Sequence, residues 1–114
     1  MDTSETYIKM CLKAREVQAL ATQTQYDYWV HAPVGAGMIW LPRQDQLQEM
    51  LYPGQEARTI FAEFAFLVGD SRVEFLDLLP EYRQYTSMEQ LWLAFVMKQK
   101  HNKIWNGQEW IREV

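Results

Sequence analysis

His31, His101 and Cys11 are the side chains of this sequence best suited to metal binding or nucleophilic chemistry. Their spacing builds neither. No His-x-x-x-His or Cys-x-x-Cys pair occurs, and one cysteine with two distant histidines is a poor zinc set unless the fold brings them together. Plainer roles are a strand-edge histidine at 31 and a helix-terminal histidine at 101. Cys11 with a histidine and Asp27 or Asp45 has the composition of a nucleophile set. Cys11 sits among Ile8, Met10 and Leu12 on a helix with a buried apolar side, however, where a thiol is an inert small hydrophobe. Gly35-Ala36-Gly37 lacks the lysine and helix that follow in a phosphate loop, and there is no Gly-x-Ser-x-Gly elbow. Asp45 and Glu49, one helical turn apart, can cooperate as acid and base, or form a solvated face. No cofactor is implied and the balance leans away from an enzyme.

Two stretches have the chemistry of surfaces. Lys98, Lys100, His101 and Lys103 form the one basic cluster, and Trp105 and Trp110 flank it. Lysines that track a backbone beside aromatics that stack bases suit single-stranded nucleic acid. The same cations also complement the dipole at a helix C-terminus. The other stretch is Arg43, Gln44, Asp45 and Gln46, followed by Gln48 and Glu49 and preceded by Trp40. Dense glutamine adds little to a core, but it can read a partner by hydrogen bonding beside an aromatic anchor. The alternative is an outward polar face with Trp40 folded inward.

The elements that must carry these residues follow from patterning. Leu91 to Met97 is the most apolar run, preceded by the capping-box spacings Ser87/Gln90 and Thr86/Glu89 and followed by lysines. It predicts a buried central helix over about 87–101. The run is too short for a membrane span, which needs about 20 apolar residues. A first helix runs from Thr3 or Ser4 to about Ala21, with Tyr7, Met10, Ala14, Val17 and Ala21 on one face. Tyr26 to His31 alternates as a strand, and Met38 to Leu41 is a second strand or an extended entry. Pro42 suits the first position of a helix over Arg43 to Leu51, which Pro53-Gly54 breaks. A helix over Gln55 to Val68 places Ala57, Ile60, Phe61, Phe64, Leu67 and Val68 inward and stops at Gly69. Ser71/Glu74 caps a short helix closed by Pro80. Asn106-Gly107 between apolar residues predicts a type I′ hairpin, pairing with the Tyr26 to His31 strand.

Length and composition bound the rest. The chain has 114 residues, 48% hydrophobic and 23% charged, which predicts a single globular domain over 1–114. A net charge of −4 argues against a broadly basic nucleic-acid surface. One cysteine, and no signal peptide in Met1-Asp2-Thr3-Ser4-Glu5, favour a reducing cytoplasm. The fold expected is α+β: four to five helices around the buried central helix, with a small antiparallel sheet that includes the C-terminal hairpin.

The stretch from Trp40 to Met50 (Trp-Leu-Pro-Arg-Gln-Asp-Gln-Leu-Gln-Glu-Met), the run from Ser87 to Trp110 and the opening Tyr7 to Cys11 resemble a family of small phage- and prophage-encoded proteins of Gram-positive bacteria. Its members often carry a longer charged, aromatic insert before the Trp-Leu-Pro-Arg segment, where this chain has only Ala32 to Met38. The resemblance brings no activity, cofactor or catalytic residue. It implies an accessory protein in a host cytoplasm. The leading expectation is therefore a non-enzymatic protein that binds a host or phage protein through Trp40, Arg43, Gln44, Asp45, Gln48 and Glu49, as a monomer or homodimer without a membrane. The alternative is a nucleic-acid-associated protein using Lys98, Lys100, His101, Lys103, Trp105 and Trp110. A small enzyme with a pocket of scattered residues is the third.

Overall fold

A computed structural model describes residues 1–21, 27–32, 35, 37–70 and 77–113. The fold is α+β, with five α-helices and small antiparallel two-stranded sheets among the described residues. At its centre is α5, Met88–His101, whose residues from Gln90 to Met97 are all buried. The Ser87 hydroxyl accepts from the Gln90 amide at 3.1 Å, and the Gln90 side chain takes the Thr86 amide at 3.2 Å. The Ser87/Gln90 pair is thus the cap that forms. At the other end Asn102 adopts the left-handed conformation (φ 53°, ψ 43°) and its amide returns to Lys98, which stops the helix.

The chain start is clamped onto this helix. The Asp2 carboxylate accepts from the Ser87 hydroxyl at 2.5 Å, from the Gln90 side-chain amide at 2.8 Å and from the Ser4 amide at 2.8 Å. Burial raises the Asp2 pKa, but these hydrogen bonds outweigh it and hold the carboxyl below the ordinary value. Ser4 caps α1, Glu5–Lys13. The expected helix to Ala21 is broken at Ala14 (φ −85°, ψ 73°), and a short α2, Arg15–Gln18, follows. Tyr7, Met10, Ala14 and Val17 are nonetheless all buried, as the periodicity predicts. The break turns Gln18 toward the first sheet.

That sheet is a hairpin of β1, Tyr28–His31, and β2, Met38–Leu41, with Trp29 opposite Trp40. The C-terminal hairpin does not join it. Gln18 instead occupies the outer edge of β2, donating to the Trp40 carbonyl at 2.8 Å and accepting the Trp40 amide at 3.0 Å. A glutamine side chain thereby fills the backbone positions a third strand would use. The C-terminal hairpin, β5 (Lys103–Trp105) with β6 (Trp110–Arg112), packs on α1 and α5 as a separate ribbon. Trp110 donates from Nε1 to the Met10 carbonyl at 2.9 Å, and Lys9 reaches Gln108. Its turn is not the expected two-residue type I′. Trp105 faces Trp110 across a four-residue loop in which Asn106 Oδ1 accepts the Gln108 and Glu109 amides, both at 2.8 Å. Gly107 alone takes positive φ in that loop, at 98°.

Helix α3, Gln44–Leu51, begins one residue later than predicted, because the Gln46 side chain caps the Arg43 amide at 2.8 Å. Pro42 lies before it and accepts the buried Tyr7 hydroxyl at 2.7 Å. Helix α4, Ala57–Val68, ends at Gly69 as predicted, though Gly69 is extended and opens a strand. That strand, β3 (Gly69–Asp70), pairs with β4 (Asp77–Leu78), and the Leu79 amide bonds the Val68 carbonyl at 2.8 Å. The short helix expected after Ser71 lies mostly outside the described residues. Its described part, Asp77–Leu78, is strand. No helix among the described residues is long and apolar enough to cross a membrane.

Candidate functional site

The glutamine-rich surface divides when its residues are placed. Trp40 is only 4% exposed and belongs to the core, so it is no surface anchor. Its indole Nε1 is buried with no hydrogen-bond partner among the described residues. Arg43 lies against Asp45 at 3.0 Å, an exposed pair that contributes little stability. Gln46 turns inward to Asp27 at 2.8 Å. Gln44 and Gln48 do face a shared space, while Asp45 and Glu49 are exposed on the same helix.

That space is a groove of about 410 Å³, within the usual range for ligand pockets. Gln44 and Gln48 from α3 and Gln55 from the following turn supply its amides. Ile60, Phe61 and Phe64 of α4 and Met88 and Trp92 at the start of α5 supply its apolar wall. Phe64 stacks on Trp92 with ring centroids 4.0 Å apart and planes 13° apart, and meets Phe95 edge-on at 5.2 Å. This aromatic stack docks α4 on the central helix. Phe61 and Phe64 also line a second hollow of about 260 Å³ that runs on to Val68 and Leu78. The two hollows share one wall along α4.

The sequence placed Phe61 and Leu67 inward, and here the structure differs. Phe64 and Val68 are buried, but Phe61 is 69% exposed, Phe66 84% and Leu67 37%. At 3.6 residues per turn Phe66 points about 160° away from Phe64, so no rotation of α4 buries both against one neighbour. Nine of the twelve residues of α4 (Ala-Arg-Thr-Ile-Phe-Ala-Glu-Phe-Ala-Phe-Leu-Val) are apolar. By composition such a helix should be enclosed on all sides, so its exposed phenylalanines, and not its sequence, place α4 at the margin of the molecule.

The basic end has a different character. Trp105 and Trp110 are 6% and 8% exposed and pack on each other with centroids 5.1 Å apart, so neither ring presents a face to a base. Lys98 pairs with Glu113, Lys103 with Glu16, and Lys100 donates to the Met50 carbonyl at 3.3 Å. His101 closes α5, half-buried. Burial pushes the Cys11 thiol far above its ordinary pKa, and the neighbouring Tyr7 hydroxyl offsets this only in part. A thiol held protonated inside the core is no nucleophile at neutral pH. Among the described residues no three histidine, cysteine or acidic side chains converge on a metal position. Compared with known proteins, the chain matches no family model, no curated protein and no solved structure.

Proposed function

We propose that this chain is a non-enzymatic binding protein that presents α4 and its groove to another protein. The resemblance to small phage-encoded proteins supports an accessory role of this kind, in a host cytoplasm. The observation that carries the reading is the exposure of Phe61 at the groove, with Phe66 and Leu67 exposed on other sides of the same helix. Leaving a phenylalanine in water forgoes about 1.5–3 kcal/mol of burial, and a partner that covers the helix recovers it. Exposed apolar side chains beside a groove are a feature of interaction sites, and Phe61 lines both hollows. The glutamine-rich helix keeps part of its expected role, since Gln44 and Gln48 can offer hydrogen bonds at the groove margin. Trp40 drops out of the contact surface and Phe61 takes its place at the groove. The nucleic-acid reading has less support, because its tryptophans are buried and two of its lysines are paired.

The test is affinity capture from host cytosol with three baits: wild type, Phe61→Ser with Phe66→Ser, and Arg43→Ala with Asp45→Ala and Gln48→Ala. Wild type should retain a discrete partner that the double-serine variant loses and the triple-alanine variant holds less well. Recovery of the same proteins by all three, with each bait folded by circular dichroism, would rule the reading out.

A further inference from the structure

We infer that β1 pairs along its outer edge with β1 of a second copy of this chain, so that two hairpins join into one antiparallel sheet across a two-fold axis at Val30. This surface is separate from α4 and its groove.

The register identifies the backbone groups that are free. The Trp40 amide donates to Gln18 Oε1 at 3.0 Å and the Trp40 carbonyl accepts from Gln18 Nε2 at 2.8 Å, so both point away from β1. Trp29 and Trp40 therefore form a non-bonded pair of the ladder, and Tyr28 with Leu41 and Val30 with Ile39 are the bonded pairs. The Ala32 amide, which reaches the Gly37 carbonyl at 2.7 Å, continues that alternation. Trp29 and His31 accordingly turn their amides and carbonyls to the far side of β1, where these groups make no hydrogen bond among the described residues. Tyr28 and His31 are exposed and Trp29 and Val30 half-buried, which places the strand at the surface.

The two edges of this hairpin are treated differently. Gln18 closes the β2 edge with a side-chain amide. The β1 edge, Tyr28-Trp29-Val30-His31, carries no lysine, proline or bulge of the kind that keeps an edge from pairing. The C-terminal hairpin, by contrast, holds a cation on each strand, Lys103 and Arg112. A two-stranded hairpin is marginal alone and gains from added strands.

Outward amides and carbonyls at alternate residues call for an extended backbone, and β1 meets that need in itself. With the axis at Val30, Trp29 of one copy exchanges both main-chain hydrogen bonds with the second copy's His31, and the reverse pair does the same. The pairing sets Val30 against Val30 and Trp29 against His31, β-branched and aromatic combinations in which no like charges meet. A second copy also supplies a strand already held extended by its own hairpin, so pairing orders no flexible segment. The contact is isologous, and Gln18 at each outer edge stops the sheet at two copies. The paired strands are short, so the dimer is weak and depends on concentration.

Sedimentation equilibrium and amide exchange followed by nuclear magnetic resonance, each at rising concentration up to about 1 mM, test the assignment. In dilute solution the Tyr28 and Val30 amides should exchange slowly and those of Trp29 and His31 rapidly. As the dimer forms, Trp29 and His31 should slow at least tenfold, while Trp40, already bonded to Gln18, should hold its rate. His31→Pro removes a donor from each intermolecular pair and none from the intrachain ladder, and should give a folded monomer. His31→Thr keeps the amide and should dimerise as wild type does. Should His31→Pro fail to fold, the exchange pattern of wild type decides alone. A chain that stays monomeric to about 1 mM overturns the pairing. So does a dimer in which Trp29 and His31 exchange as fast as in the monomer, or one that His31→Thr abolishes as fully as His31→Pro. A dimer that Phe61→Ser dissolves and His31→Pro does not overturns it as well, and assigns the contact to α4.

Discussion

Phe64 and Phe66 sit two residues apart on α4, and the structure gives them opposite energetic roles. Phe64 is 7% exposed, stacked on Trp92 at 4.0 Å and edge-on to Phe95 at 5.2 Å. Its replacement by alanine removes a buried ring and leaves a cavity against two aromatics that are themselves almost fully enclosed, a change that costs about 3–5 kcal/mol. For a domain of this length each kcal/mol moves Tm by roughly 4 °C, so Phe64→Ala should melt about 12–20 °C below wild type. Phe66 is 84% exposed and contacts water over most of its ring. Phenylalanine and serine have similar helix propensities, so Phe66→Ser should change stability by no more than about 0.5 kcal/mol, or about 2 °C. Thermal unfolding followed by far-ultraviolet circular dichroism reads both variants directly. A Phe66→Ser variant that loses as much stability as Phe64→Ala would refute the placement of α4 and, with it, the exposed face on which the functional reading depends. Two silent substitutions would refute the aromatic docking of α4 on α5.

The N-terminal clamp predicts a pH dependence. Asp2→Ala removes three hydrogen bonds to a partly exposed carboxylate and should cost about 1–3 kcal/mol at pH 7 by urea denaturation. Because the native Asp2 pKa lies below the ordinary aspartate value of 3.8, its contribution is fully present above that value and is lost as pH falls through the lowered native one. The gap between wild type and Asp2→Ala should therefore close in strong acid, and a gap that stays constant would show the carboxylate charge plays no part. Cys11, fully buried and held protonated, should resist a disulfide reagent at pH 8 until the protein unfolds. Labelling of the native protein at the rate of a free thiol would show that this part of α1 opens.

Much of the frame was legible because it rests on local rules. Caps, apolar run length and a cationic exit define α5, and periodicity alone assigns Tyr7, Met10, Ala14 and Val17 to one buried face. What stayed hidden depends on distant partners. The break at Ala14 has no glycine or proline to announce it, and it serves Gln18, whose task is to close the edge of β2. A sequence shows that Gln18 is polar and says nothing of the strand edge waiting for it, so the C-terminal hairpin was paired with the wrong neighbour. Gln44 and Gln48 were singled out for their density and do border the groove, while Trp40 was weighed as an anchor and proves to be core. The exposure of Phe61 and Leu67 was not legible, because a helical period identifies residues that share a face, not how much of that face other elements cover.

The most direct test of the central claim is photocrosslinking in cells, with a benzophenone amino acid placed at position 61 or 66 and, as control, at position 108 on the exposed hairpin loop. The account predicts a discrete adduct with another protein from positions 61 and 66 and none from position 108. Adducts that are diffuse, or the same from all three positions, would contradict the assignment of α4 as the binding surface.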